Sequence, residues 1–133
     1  MLPDQMIEPG TLEVSGDRVR ISLRMPWYRA LPFSSVAGIT WAIDGHEVDA
    51  ASLTWSCDGT TLPLADLAAR HDLWWYVLDS AVVEGAMPDG VAADGEHDVA
   101  VALGLYIPYI TTDLGVLRLE ERDRKTMTLE AAA

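Results

Sequence analysis

The chain of 133 residues carries one cysteine, Cys57, and one phenylalanine, Phe33. A lone thiol rules out an intrachain disulfide framework, so burial and hydrogen bonding must hold the fold, and the expected compartment is the cytoplasm. No apolar stretch approaches the ~20 residues needed to cross a bilayer, so no membrane partner is expected. The first residues, Met1-Leu2-Pro3-Asp4-Gln5-Met6, lack the basic start and apolar run of a signal peptide. Cations are also scarce, nine against twenty-one acids, for a net charge of −12. Phosphate backbones demand clustered cations, so nucleic acid is excluded as a partner. Gly-rich phosphate loops, a nucleophile elbow and Cys-x-x-Cys are absent. His46, His71 and His97 are scattered, with neither the His-x-His nor the His-Glu-x-x-His spacing that sets two nitrogens on one metal. No catalytic residue and no metal ligand are assigned to this chain. Cys57 falls on an apolar face and reads as a buried, inert thiol.

What the chain does have is Trp and Tyr, nine of its ten aromatics. They cluster at Trp27-Tyr28, at Trp74-Trp75-Tyr76, and at Tyr106 and Tyr109 around Ile107-Pro108. An apolar ring with a polar tip suits surfaces that are half dry and half wet. Neighbouring residues of an extended chain point to opposite faces, so Trp74 and Trp75 cannot both enter one core.

Period two dominates the pattern. Arg18–Met25 alternates strictly, and Ala37-Ile39-Trp41-Ile43 repeats the alternation up to the turn pair Asp44-Gly45. Leu53, Trp55 and Cys57 lead to a second turn at Asp58-Gly59. His97, Val99, Val101, Leu103, Leu105 and Ile107 form the longest run, backed by small Ala and Gly residues that permit close approach by another sheet or chain. Leu117 and Leu119 alternate at the end. Residues 64–70 have helical spacing and read as a short two-turn helix, and 85–95 reads as a loop rich in Gly and acid. The expected fold is all-β, an antiparallel sandwich, jelly-roll-like, of about seven to nine strands with one short helix near 64–70. Its core is drawn from Val19, Ile21 and Leu23, Ile39, Trp41 and Ile43, Leu53 and Trp55, and Val99, Val101, Leu103 and Leu105. Residues 1–128 form one domain; 129–133 are a featureless tail of the kind an expression vector leaves behind.

Charge is unevenly spread. Between Ala30 and Leu117 one base, Arg70, faces thirteen acids, and the other eight cations lie in 18–29 and 118–125. Two readings stand: solvated strand faces that balance local acids, or an Arg-rich docking face.

Several motifs resemble the β-subunit family of bacterial C-glycoside deglycosidases. They are Met6-Ile7-Glu8-Pro9-Gly10-Thr11-Leu12, Leu23-Arg24-Met25-Pro26-Trp27-Tyr28-Arg29-Ala30-Leu31-Pro32, Trp74-Trp75-Tyr76-Val77-Leu78-Asp79 and Gly95-Glu96-His97. Leu103-Gly104-Leu105-Tyr106-Ile107-Pro108-Tyr109 and Lys125-Thr126 complete the set, and the similarity runs from about Met6 to Thr128. The resemblance implies a small β-sandwich that binds a larger α subunit, a TIM barrel similar to sugar isomerases. In such an assembly the α partner supplies a divalent metal, Mn or Mg, and the base that acts on a C-glycoside oxidised at the sugar 3-position. This chain is then a non-catalytic partner, inactive alone, and in isolation it is free to pair with a second copy. The interface or binding candidates are Arg24, Trp27, Tyr28, Arg29, Trp75, Tyr106 and Tyr109. The rival readings are a stand-alone carbohydrate- or small-molecule-binding module and a self-associating structural sandwich.

Overall fold

Alternation builds both layers of the sandwich. In the computed structural model, which describes residues 6–88, 90–91 and 95–129, eleven strands are present among the described residues. Seven have four or more residues: β2 (Arg18–Arg24), β4 (Val36–Ile43), β6 (Thr54–Cys57), β7 (Thr60–Pro63), β9 (Ser80–Ala86), β10 (Gly95–Thr112) and β11 (Gly115–Leu129). The others are short: β1 (Glu13–Ser15), β3 (Leu31–Pro32), β5 (His46–Glu47) and β8 (Trp74–Trp75). Every pairing is antiparallel, in a five-stranded sheet ordered β1-β2-β9-β6-β7, a four-stranded sheet ordered β11-β10-β4-β5, and the small pair β3-β8.

The inward faces of the two large sheets meet in one apolar core, and each of the twelve core residues expected from the alternation is buried. Trp55 and Trp75 meet edge to face at 4.9 Å between ring centroids, and Phe33 stands edge-on to Trp55 at 5.8 Å. This aromatic knot joins β6 of the five-stranded sheet to β8 of the small pair and to Phe33. Cys57 is buried beside it, and burial, with the charges of Asp79 and Asp58, pushes its thiol up to about 12.

The N-terminal segment closes one side of the sandwich. Arg24 N–H donates to Met6 O at 2.8 Å and Glu8 N–H to Ser22 O at 3.0 Å, which adds 6–8 to the edge of β2. Ile7 N–H turns the other way and donates to Asp123 Oδ2 of β11 at 2.8 Å. Residue 7 therefore links one sheet to the other.

The short helix expected near 64–70 is present at Leu64–Ala69 as a 3-10 helix, with Pro63 at its start and only Leu67 buried. Three local features differ from the alternation-based reading. β10 runs past Ile107, where the alternating run ends, to Thr112, with a register shift between Ile107 and Thr111 around Pro108, which has no N–H to donate. Gly85 and Ala86 belong to β9 and Gly95 opens β10, so the loop is shorter than 85–95. Leu129 is still paired, with Gly95, so the sheet reaches one residue past 128; the rest of the proposed tail, 130–133, lies outside the described residues.

Gly85 is a close-packing position. A Cβ there would collide with Val48 Cγ1 and come within 2.9 Å of Leu53 Cδ2. Gly85→Ala is therefore expected to destabilise the fold by about 1–3 kcal/mol through overpacking. Urea unfolding of the variant against the parent measures it; unchanged stability would mean that β9 and the Val48–Leu53 wall separate without cost.

Candidate interaction surface

The connection 25–30 leaves β2 with Met25 and Pro26 buried, which anchors its base and turns the next residues outward. Three consecutive sequence-picked residues, Trp27, Tyr28 and Arg29, meet a fourth there, Tyr109, 82 positions beyond Trp27. Trp27 Nε1 donates to Tyr109 Oη at 2.6 Å, and the Tyr109 and Tyr28 oxygens lie 3.4 Å apart. The Trp27 and Tyr28 rings are 4.8 Å apart and tilted by 43°, and the Arg29 guanidinium sits 4.8 Å from the centre of the Tyr109 ring. Trp27 is half-buried against the core, whereas Tyr28 and Tyr109 face solvent.

The two phenols are not equivalent. The hydrogen-bond contact with Tyr109, then desolvation, raises Tyr28 above the usual tyrosine value. Desolvation works against ionisation of Tyr109 too, but its hydrogen-bond contacts with Tyr28 and Trp27 and the charge of Arg29 outweigh it and lower that phenol. The result is a solvent-facing plate of rings with donors and a fixed cation at its edge, suited to an apolar surface that also offers acceptors.

The remaining candidates lie elsewhere. Trp75 is 0% exposed and donates from Nε1 to Asp79 O at 2.8 Å, so it belongs to the core and offers no surface. The exposed member of the pair is Trp74, as strand alternation requires once one ring is committed inward. Arg24 projects from β2 toward Glu8 at 3.9 Å and does not reach the aromatic plate. Tyr106 is exposed on β10 opposite Arg118, outside the hydrogen-bonded group.

Most cations balance local acids, the first of the two readings of the charge pattern. Arg18 and Arg20 reach Glu84, Arg70 reaches Asp72, Arg122 reaches Glu120, Arg124 grips Asp98 and Lys125 reaches Asp123. His97, near the start of β10, is buried with Nδ1 2.6 Å from Asp44 Oδ2, while Asp44 Oδ1 accepts the Asp98 N–H at 2.8 Å. The His97 contact and then the Asp98 N–H hold the Asp44 carboxyl below the ordinary range. Asp44 has a φ of 53°, so this network fixes the β4–β5 turn. Among the described residues, no three side chains of His, Cys, Asp or Glu gather closely enough to hold a metal ion, and no helix is long and apolar enough to cross a membrane.

Fold and surface together define a class: a small antiparallel β-sandwich with an ordered aromatic and arginine plate at one end. A family model described as C-glycoside deglycosidase beta subunit matches residues 6–109. The C-glycoside deglycosidase beta subunit of Microbacterium trichothecenolyticum is 44% identical over 133 residues, covering 99% of this chain and 100% of that protein. A protein of the same name from Arthrobacter globiformis is 44% identical over 129 residues, 96% of each chain. The 3'-dehydrocarminate deglycosidase beta subunit of a Microbacterium species is 36% identical over 116 residues, 87% of this chain and 85% of that one. The chain belongs to the C-glycoside deglycosidase beta subunit family.

Proposed function

We propose that this chain is the β subunit of a heteromeric C-glycoside deglycosidase and acts only together with a larger α subunit. The observation that carries the reading is near full-length similarity to proteins named as beta subunits, at 44% identity with two of them. The plate of Trp27, Tyr28, Arg29 and Tyr109 supports it, because exposed, preorganised rings with a guanidinium at their edge suit contact with another protein surface. A relative named for 3'-dehydrocarminate supports a substrate oxidised at the sugar 3-position.

The chemistry then belongs to the partner, a barrel similar to sugar isomerases. A ketone at sugar C3 acidifies the proton on C2. A base removes that proton, the electron pair forms the C1–C2 double bond, and the bond to the aryl carbon breaks with its pair, which a proton then takes up. A divalent cation, Mn or Mg, held by the α subunit would stabilise the enolate that develops on the ketone oxygen.

The test is reconstitution. Purified alone, the chain is expected to leave a 3-oxo-C-glucoside intact, and mixing it with the barrel subunit is expected to give cleavage, followed as release of the free aglycone. Cleavage by the isolated chain at the rate of the mixture would end this reading.

A further inference from the structure

Among the described residues, the strongly exposed large apolar side chains come from three segments: Tyr28, the 74–78 stretch, and the 106–116 end of the β10–β11 hairpin. Topology brings all three to one end of the sandwich. Arg24 pairs with Ser80 and Leu31 with Trp75, so the connections 25–30 and 76–79 run side by side between the same strands. Tyr109 brings the hairpin to them through Trp27.

The hairpin then continues beyond the body. β4 stops covering β10 at the Leu105–Val36 pair, while β10 and β11 stay paired out to Thr112–Gly115. At the usual rise per strand residue, this two-stranded arm extends roughly 10–15 Å past Tyr109. Leu114 stands at its tip, 100% exposed. The tip is ordered: Leu114 N–H donates to Thr112 Oγ1 at 3.2 Å, and the Thr112 hydroxyl donates to Gly115 O at 3.0 Å. A turn built to hold a bare leucine outward adds nothing to this chain's own core. Apolar surface gathered this way at one end marks a contact site.

Charge supplies an independent sign. Of the nine cations, Arg29 and Arg118 are the two that meet no carboxylate among the described residues. Both lie at this end, Arg29 over the Tyr109 ring and Arg118 opposite Tyr106 at the root of the arm. In a chain of net charge −12, with Asp79 and Asp113 at this same end, two arginines that meet no carboxylate stand out.

The geometry points to this end as the face that docks the larger subunit: the arm, led by Leu114, enters an apolar cleft whose rim offers carboxylates to Arg29 and Arg118. The assignment rests on the β-subunit reading above. Carboxylates follow from the guanidinium fork, which pairs with them bidentately. A second copy of this chain fits less well, because a two-fold contact of the face with itself would bring four unneutralised guanidiniums together.

The experiment co-expresses the full chain with its barrel subunit and measures capture and affinity for Leu114→Asp, Arg29→Glu and, at the opposite end, His46→Ala. The first two are expected to weaken binding at least tenfold with an unchanged melting temperature, since both side chains are exposed; His46→Ala is expected to bind like the parent. If the parent captures the barrel and both variants bind it equally well, the surface is wrong and the β-subunit reading stands. No capture by the parent overturns both. If Leu114→Asp breaks self-association of the chain and leaves barrel capture intact, a second copy is the occupant and the assignment fails.

Discussion

Trp55→Ala is expected to cost about 3–5 kcal/mol of folding stability, the range for emptying a large aromatic site in a core. Trp55 is 0% exposed and sits between Phe33 and Trp75, edge to face with both. It also faces β9 through its pairing with Val83. Removing it takes away the shared partner of two elements at once, the 3-10 turn at Phe33–Ser35 and the β3-β8 pair. Those elements carry the 25–30 and 76–79 connections, so the loss is expected to loosen the aromatic plate as well. The indole N–H of Trp55 meets no acceptor among the described residues. A buried donor without a partner is itself unfavourable. Trp55→Phe keeps most of the ring and drops that donor, so it is expected to lose less than half of what alanine loses. Equilibrium urea unfolding of both variants decides the point. Alanine and phenylalanine variants of equal stability would mean that the knot owes little to the filled volume.

The parts of the fold that the sequence made legible are those where one face of a strand is uniformly apolar. Val19, Ile21 and Leu23 on β2, and Val99 to Leu105 on β10, announce their burial because polar or small residues separate them. β11 hid its length for the opposite reason. Its inward positions include Glu121, Asp123 and Lys125, so both faces of the strand read as polar from 120 to 126. Inward charge is a device of edge strands, and here it is satisfied by the N-terminal segment, a partner more than 110 residues away that no local pattern reveals. The aromatic plate was legible only as residues. Trp27 and Tyr109 stood out by composition and by their family-like motifs, but their hydrogen bond depends on the hairpin folding back across the chain. Alternation correctly separated Trp74 from Trp75 and could not say which one faces in. The choice of Trp75 as a surface candidate failed because Phe33 and Trp55 supply an edge-to-face site for one ring only on the inner side. Leu114 left a faint signal, an isolated leucine in the Asp113-Leu114-Gly115 turn, where polar residues are the rule.

Asp123 is expected to be the most sensitive polar position of the fold, because it ties the N-terminal segment to β11 from within. Its carboxylate is buried, with 1% of the side chain exposed. Oδ2 accepts from Ile7 N–H and Lys125 Nζ, both at 2.8 Å, and Oδ1 accepts from Arg124 N–H at 2.8 Å. All three partners are donors, so the site calls for acceptors on both oxygens. Asp123→Ala strands the Ile7 N–H inside the protein, at about 1–3 kcal/mol for that group alone, and the loss of the ion pair adds to it. Asparagine is expected to be a poor substitute despite its shape. Its amide offers one oxygen, and its NH2 would face a donor whichever way it is turned. The damage is expected to begin locally. Hydrogen exchange at Glu8 and Arg24, whose N–H groups hold the segment to β2, should accelerate in both variants before protection is lost at Val101 or Leu103 in the central strand. Exchange that rises uniformly through the sandwich would show that the N-terminal segment is part of one cooperative unit. An asparagine variant as stable as the parent would show that a single acceptor suffices to hold Ile7.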